Sequence, residues 1–561
     1  MSGKDLQKEI LDLKSQIKKL QKSNLGLVFE DKPEDVVTQC NANVPVLKEV
    51  KSKRIGTDDE SPNNLLIEGD NYHSLSVLNY THKSKIDLIY IDPPYNTGNH
   101  DFIYNDQYVD AEDSYRHSKW LSFMQNRLVL ARDLLTPEGM IFISIDDNEQ
   151  AYLRILCNKI FGEQNFIANF KWNRVSKAPS LSGSVRTKYE YVVVYCKGQR
   201  IKLFGKNSYN TQGPLWHLPN KHNLLVFPMG SIKIKQTFKK GNYGGTYKVE
   251  LLDDMVESNG YNKNVVRIKA HSAWGQKKID GYVKDGFTFE IKKNPTTLYT
   301  TLSSEGNYIA PSDLITDEEC GVKRNTEASE AIKAMGIPFD YPKPISLIKY
   351  LVNMVTHDNK SATVLDFFAG SGTTGHAVIE LNAEDAGSRR FILCTNNEDN
   401  NGSGKKIATD ICYPRIKAVI NGYENKKGEK VAGLGGNLSY YKTDLVDIEQ
   451  IHKIPDEAKI RVTYQAGEMI AVREDTLNEI EKNDWWQIFE GKGKMTAIYF
   501  KEDKSKLAEL IEKLEKKNLP VALYIFSWGK NEYKGEYSSA HIRVEDIPEP
   551  IIEVYKELNR L

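Results

Sequence analysis

Ile86-Asp87-Leu88-Ile89-Tyr90-Ile91 runs without a break into Asp92-Pro93-Pro94-Tyr95-Asn96-Thr97-Gly98, and the fold is legible from that junction. A short, almost wholly apolar run is the mark of a strand buried on both faces, as in a parallel sheet. The prolines end it, because each removes a backbone donor and fixes φ. Working outward, similar runs occur at Asn64-Leu65-Leu66-Ile67, Met140-Ile141-Phe142-Ile143-Ser144-Ile145 and Tyr189-Glu190-Tyr191-Val192-Val193-Val194-Tyr195. A helix is expected from Ser118 to Leu135, stopped by Thr136-Pro137-Glu138-Gly139. Two more strands are expected far downstream, at Ala362-Thr363-Val364-Leu365-Asp366 and Arg390-Phe391-Ile392-Leu393-Cys394. The spacing predicts an α/β fold, a doubly wound and mostly parallel sheet assembled from residues 30–200 and 336–440.

The stretch between these halves, residues 201–335, is rich in Gly, Asn, Tyr and Lys, with β-like pieces such as Gly286-Phe287-Thr288-Phe289-Glu290-Ile291, and reads as an inserted α+β domain. Residues 441–561 read as a small C-terminal α/β domain, with strands at 496–500 and 521–526 around a helix at 504–516. Leu507, Leu510, Ile511 and Leu514 give that helix one apolar face. In residues 1–29, Leu6, Ile10, Leu13, Ile17 and Leu20 form the stripe of an amphipathic helix, suited equally to self-association and to docking on the chain's own body.

With 561 residues the chain has room for several units. Its 76 basic and 76 acidic residues cancel, so any contact with a nucleic acid must come from local patches. The six cysteines form no C-x-x-C pair, which argues against a disulfide scaffold or a zinc site and for a reducing compartment. No apolar run approaches the roughly 20 residues needed to span a bilayer. A soluble, cytoplasmic protein is expected.

The tetrapeptide Asp92-Pro93-Pro94-Tyr95 should arise by chance in a chain of this length with a probability on the order of a few in a thousand. As a bare structural feature it is a rigid polar turn. Its position is more informative, since open α/β sheets bind ligands at the carboxyl ends of their strands. The residue types suit work on the exocyclic amine of a base such as adenine. That nitrogen is a poor nucleophile because its lone pair is delocalised into the ring, so two acceptors must draw its hydrogens out of plane. The Asp92 carboxylate can be one and the Pro93 carbonyl, restrained by the rings of Pro93 and Pro94, the other. Tyr95 offers a face on which a flipped-out base can stack. No metal is required.

The second motif is Val364-Leu365-Asp366-Phe367-Phe368-Ala369-Gly370-Ser371-Gly372-Thr373-Thr374-Gly375-His376, a strand, a Gly-rich loop and a helix start. Glycines let a ligand approach the backbone, Thr373 or Thr374 can cap the helix, and its free N–H groups favour a carboxylate. A nucleotide phosphate is the competing ligand. Against it, no G-x-x-x-x-G-K-[ST] is present and Asp366 would repel phosphate. The zwitterionic methionine end of S-adenosylmethionine suits both the acid and the amides.

Together the two motifs resemble those of the amino-methylating DNA methyltransferases, in the circularly permuted β group where the catalytic motif precedes the cofactor loop. Leu65-Leu66-Ile67-Glu68-Gly69-Asp70-Asn71, Tyr341-Pro342-Lys343-Pro344 and Tyr413-Pro414-Arg415-Ile416 are similar, more closely, to the modification subunits of type III restriction-modification systems. The resemblance covers residues 60–200 and 335–440. It implies the S-adenosylmethionine-dependent methyltransferase fold, with Asp92, Pro93, Pro94 and Tyr95 catalytic. It implies a cofactor site of Asp70, Asn71, Lys343, Pro344, Asp366, Phe367, Phe368, Gly370, Ser371, Gly372 and Thr373: Asp70 at the adenine, Lys343 and Pro344 near the methionine end. Where the family pattern expects an acid to bind the ribose hydroxyls, this sequence has Cys394-Thr395-Asn396-Asn397-Glu398, so either Asn396 or Asn397 substitutes or Glu398 is displaced. The implied reaction is adenine-N6 methylation of double-stranded DNA. Cytosine-N4 methylation is the nearest rival, though its motif usually has Ser where Asp92 stands; a stand-alone methyltransferase and a non-catalytic recognition subunit are others. The implied partners are a second copy of the chain and an ATP-dependent helicase-nuclease restriction subunit.

Residues 171–206 hold nine Lys or Arg against a single acid, Glu190. A charge run is usually a solvated face; beside a base-modifying site, phosphate contact is the better reading. Lys171, Arg174, Lys177, Arg186 and Lys188 are the candidates there, and Lys233, Lys235, Lys239 and Lys240 continue them in the insert, which is expected to read the DNA sequence.

Overall fold

The computed structural model describes residues 30–56, 61–99, 101–175, 185–207, 215–216, 222–244, 248–272, 274–301, 308–339, 341–399, 403–529, 533, 535–537 and 539–558. The expected helix of residues 1–29 lies outside them. The chain divides into two compact units, one of Met1–Leu203 with Ser312–Leu561 and one of Phe204–Pro311.

The first unit is built on a ten-stranded sheet. In chain order its strands are β1 (Asn43–Glu49), β2 (Asn63–Glu68), β3 (Ile86–Ile91), β4 (Leu135–Ile145), β5 (Phe166–Asn173), β6 (Tyr189–Cys196), β7 (Leu314–Ile315), β8 (Thr363–Asp366), β9 (Arg390–Thr395) and β10 (Asn437–Asp447). Across the sheet they lie in the order β1-β10-β2-β9-β8-β3-β4-β6-β5-β7. From β10 to β4 every pairing is parallel; β1 and β6 run against their neighbours. The strands alternate in what they bury, as a pleat requires. Ile89, Ile91, Ile141 and Leu365 face helices α1 (Asn71–Thr81), α2 (Arg116–Leu134) and α3 (Gln150–Phe161). Leu88, Phe142, Val364 and Leu393 face α4 (Ile345–Thr356), α5 (Thr373–Asp385) and α6 (Tyr413–Asn421). Helices on both faces make the sheet doubly wound.

The chain order reverses between β3 and β8. From β3 the chain moves out through β4, and from β8 it moves the other way through β9. These two strands are direct neighbours, with Leu88 opposite Val364 and Ile89 opposite Leu365. Ligand crevices of open α/β sheets form at such switch points. Asp92 and Asp366 therefore leave the sheet side by side.

Three boundaries differ from those expected. The second unit ends at Pro311 rather than 335, because β7 pairs with β5 in the main sheet. Residues 441–561 share the core of the first unit: β10 runs across position 441, and Ile498, Tyr524, Ile547 and Tyr555 pack into the cluster that covers α1. Their own five-stranded sheet contains the expected strands, at Lys494–Tyr499 and Val521–Phe526, and the expected helix, at Lys504–Glu515, with Leu507, Leu510 and Leu514 buried. The Thr136–Gly139 stop signal ends α2 at Leu134, yet those residues already belong to the bulged start of β4. The second unit holds a four-stranded and a five-stranded sheet around a core that includes Trp216, Phe227 and Phe289. No helix among the described residues is long and apolar enough to cross a membrane.

Candidate active site

Beyond Ile91 the backbone is held from several sides. The Trp120 indole donates to the Pro94 carbonyl at 2.8 Å. Asn96 adopts a left-handed φ of 56°, a conformation that Asn tolerates better than most side chains. Its amide donates to the Arg116 carbonyl at 3.2 Å and to Glu149 at 2.5 Å. With the Pro94 carbonyl occupied, that of Pro93 receives no hydrogen bond from the described residues.

Asp92 sits in a cluster of charged groups. The Tyr95 hydroxyl lies 3.0 Å from Asp92 Oδ1 and 3.1 Å from Glu190 Oε2. Lys343 Nζ lies 2.8 Å from Asp92 Oδ2, 3.5 Å from Glu190 Oε2 and 5.0 Å from the centre of the Tyr95 ring. Burial pulls the Lys343 ammonium down, but Asp92 and Glu190 more than offset it and hold it above its ordinary value. Burial and then the two carboxylates push the Tyr95 hydroxyl well above its usual range, so it keeps its proton.

The Gly-rich loop after β8 is organised from beneath. Asp366 accepts from the Phe368 N–H at 3.0 Å and from the Thr374 hydroxyl at 2.5 Å. Burial lifts its carboxyl to about 7, even though both hydrogen bonds oppose the rise. Gly372 has φ 78°, and a Cβ there would come within 2.9 Å of the Cys412 sulfur. The buried Arg415 guanidinium donates to the Ser371 and Thr373 hydroxyls, both at 2.8 Å. At the start of α1, Asp70 caps the helix through the Tyr72 N–H at 2.6 Å, and Asn71 donates to the Phe367 carbonyl at 3.2 Å.

A cleft of about 510 Å³ joins the two motifs, with Asp92, Pro93 and Pro94 on one wall and Phe367, Phe368 and Gly370 on another. Asp70, Asn71, Asn396 and Glu398 also line it. Burial raises the Glu398 carboxyl, against the pull of a hydrogen bond from Asn396. Asn397 faces elsewhere, donating to Glu68 at 3.2 Å and accepting from Thr409. Asp366, Ser371, Gly372 and Thr373 shape the loop without lining the cleft. Pro344 precedes α4 as its N-cap, and Lys343 meets Asp92.

Several site residues escaped the sequence reading. Arg127 on α2 forms a two-pronged pair with Glu34, at 3.0 and 2.7 Å, and lies 3.6 Å from Asp70. Phe102, Phe123 and Phe339 supply apolar walls. Arg127 stands among Trp120, Met124, Leu128 and Ala131 on the buried face of α2, and an arginine on an apolar stripe is the signal that was there to be found. Of the candidate phosphate contacts in the first unit, Lys171, Arg186 and Lys188 are exposed, while Arg174 lies half-buried 3.6 Å from Glu190. Lys177 lies outside the described residues. In the second unit Lys233, Lys235, Lys239 and Lys240 are exposed, and Lys239 pairs with Asp254 at 2.9 Å.

Residues 86–400 match the family model described as DNA methylase, for N6 and N4 methyltransferases. The Mod subunit of the type III restriction-modification enzyme StyLTI from Salmonella typhimurium is 34% identical over 64% of this chain and 58% of its own length. The EcoPI Mod subunit from Escherichia phage P1 is 29% identical over 68% of this chain and 66% of its own. The chain thus spans about three-fifths to two-thirds of those subunits. The type II methyltransferase M.KpnI from Klebsiella pneumoniae is 31% identical over 68% of this chain and 93% of its own. Since the family model spans more than half of a chain whose Asp92 and Asp366 motifs line or shape one cleft at the sheet's switch point, the chain belongs to the N6/N4 DNA methylase family.

Proposed function

We propose that the protein methylates the N6 amine of adenine at a specific sequence in double-stranded DNA, as the modification subunit of a type III restriction-modification system. The observation that carries this reading is the cleft itself, which Asp92 and Pro93 line together with Phe368 and Gly370 of the Gly-rich loop. Its residues fit S-adenosylmethionine: Phe368 and Phe339 offer apolar faces, Asp70 and Glu398 offer acceptors for amine and hydroxyl groups, and Asp366 underlies the loop. That cofactor would supply an activated methyl group.

The protein's own groups do the rest. Asp92 and Pro93 accept the two amine hydrogens as the nitrogen pyramidalises, which stabilises the transition state more than the ground state. Tyr95 holds the flipped base. Exposed Lys171, Arg186 and Lys188 contact phosphates, and the second unit reads the sequence. The two relatives that are Mod subunits support association with a further subunit of a restriction-modification enzyme; we take that subunit to be an ATP-dependent helicase-nuclease and the chain to act as a dimer. The Klebsiella relative, most of whose length is matched, favours a stand-alone methyltransferase instead. Copurification from the host separates the two. Incubation of methyl-free DNA with protein and S-adenosylmethionine, followed by nucleoside analysis, tests the chemistry: N6-methyladenine in one sequence context is expected, and N4-methylcytosine or no product rules it out.

A further inference from the structure

Glu190 entered the sequence reading only as the lone acid in a basic run, and Lys343 as a cofactor contact. The fold brings both to Asp92. Glu190 lies on β6, two strands from β3 in the sheet, and Lys343 lies just before α4. Their side chains are only 8% and 10% exposed, so neither is a solvated surface charge.

The arrangement is a closed ring. Lys343 bridges Asp92 Oδ2 and Glu190 Oε2, and the Tyr95 hydroxyl bridges Asp92 Oδ1 and the same Glu190 oxygen. Tyr95 has one proton to donate and two carboxylates within reach. Without Lys343 the ring would hold a buried carboxylate, Glu190, beside the partly buried one of Asp92 and no cation, an arrangement that low local dielectric penalises.

We infer that Lys343 and Glu190 are positioning residues for methyl transfer: together they fix the orientation and charge of Asp92, so that a carboxylate edge meets the target amine. Lys343 balances the Asp92 carboxylate, and Glu190 anchors both Lys343 and the Tyr95 hydroxyl from behind. The inference rests on the methyltransferase reading. It assigns Lys343 to the target amine's side of the cleft rather than to the cofactor.

The other ionisable groups facing the pair are Tyr90 on β3, Asp146 after β4, Arg174 after β5 and Asp366 at the end of β8. Arg174 Nε is 3.6 Å from Glu190 and remains in every variant considered. Lys343 lies within 4 Å of both carboxylates, so changing Lys343 or Glu190 changes the charge around Asp92.

The test compares single-turnover methyl transfer by the full-length wild type, Glu190→Gln, Lys343→Met and the double variant across pH. S-adenosylmethionine affinity and thermal midpoint are measured alongside. Each single variant is expected to slow transfer by roughly ten- to a hundredfold while cofactor affinity stays within about twofold. Lys343→Met removes a cation beside two carboxylates, so its acid limb should move to higher pH and its defect should shrink as pH rises. Glu190→Gln removes a negative charge, so its limb should move the other way. The double variant should lose less than the product of the single losses. A uniform loss at every pH, or a cofactor affinity that falls with the rate, overturns the inference, as does a Glu190→Gln protein with wild-type rates. A wild type that transfers no methyl group to any DNA overturns the underlying reading, and the inference with it.

Discussion

At the scale of single residues, the roles proposed for Asp92 and Tyr95 are separable. Asp92→Ala is expected to abolish methyl transfer while leaving cofactor and DNA affinity within about twofold, because its acceptor matters most in the transition state. Substantial methylation by that variant would contradict the assignment. For Tyr95 the sequence argues for the ring, whose stacking face is worth roughly 1–3 kcal/mol. The structure adds the hydroxyl, which bridges two carboxylates. Tyr95→Ala should therefore weaken base capture, read from 2-aminopurine fluorescence at the target position. Tyr95→Phe should retain capture and still slow transfer by roughly tenfold, the value of a hydrogen bond to a charged group. Asp366 makes a different prediction. Its carboxyl, raised to about 7, carries a proton at lower pH, and a neutral acid attracts a cationic ligand less. Affinity for S-adenosylmethionine should weaken as pH falls through about 7, and Asp366→Asn should flatten the dependence in calorimetric titrations. The linkage to folding has the opposite sense: the stability associated with this raised group is present in acid and lost as pH rises through about 7.

At the scale of elements, the cleft depends on how α1 and α2 are joined. Arg127 on α2 grips Glu34, donates to Asn71 and so ties the start of α1 to the Gly-rich loop through Phe367. The Arg127 side chain is 1% exposed and that of Glu34 6%. Removing one partner of such a pair strands the other charge and costs about 3–5 kcal/mol. Arg127→Ala should lower the denaturation midpoint accordingly and weaken cofactor binding as well. Asp70→Ala deletes an N-cap and a longer, partly exposed contact with Arg127, and should cost less, about 1 kcal/mol. Equal destabilisation by the two variants would show that the pair contributes little beyond the cap.

At the scale of the whole molecule, the unit Phe204–Pro311 interrupts the first unit in sequence without adding a strand to its main sheet. It has its own core, and none of the residues that line the cleft belongs to it. Exchange of residues 204–311 for the matching segment of a relative should change the methylated sequence while cofactor affinity stays the same. Retention of the original context would assign sequence reading to the first unit. The choice of boundaries matters: a cut at 335 would remove β7 from the edge of the main sheet, beside β5.

The sequence alone determined the sheet class, the two motifs and their place at strand ends. A strand buried on both faces reads as an unbroken apolar run, and the residues that end it carry their own conformational signature, as Asp92-Pro93-Pro94 does. Only the tertiary structure decided which strands are neighbours. Nothing local to β3 or β8 specifies that Leu88 pairs with Val364, because sheet order follows from packing helices on both faces of the whole sheet. The same limit hid the Lys343–Glu190 ring and the Arg127–Glu34 pair. Each joins residues from distant segments, and a charge that looks solvated in sequence becomes part of a site only when the fold buries it beside its partner.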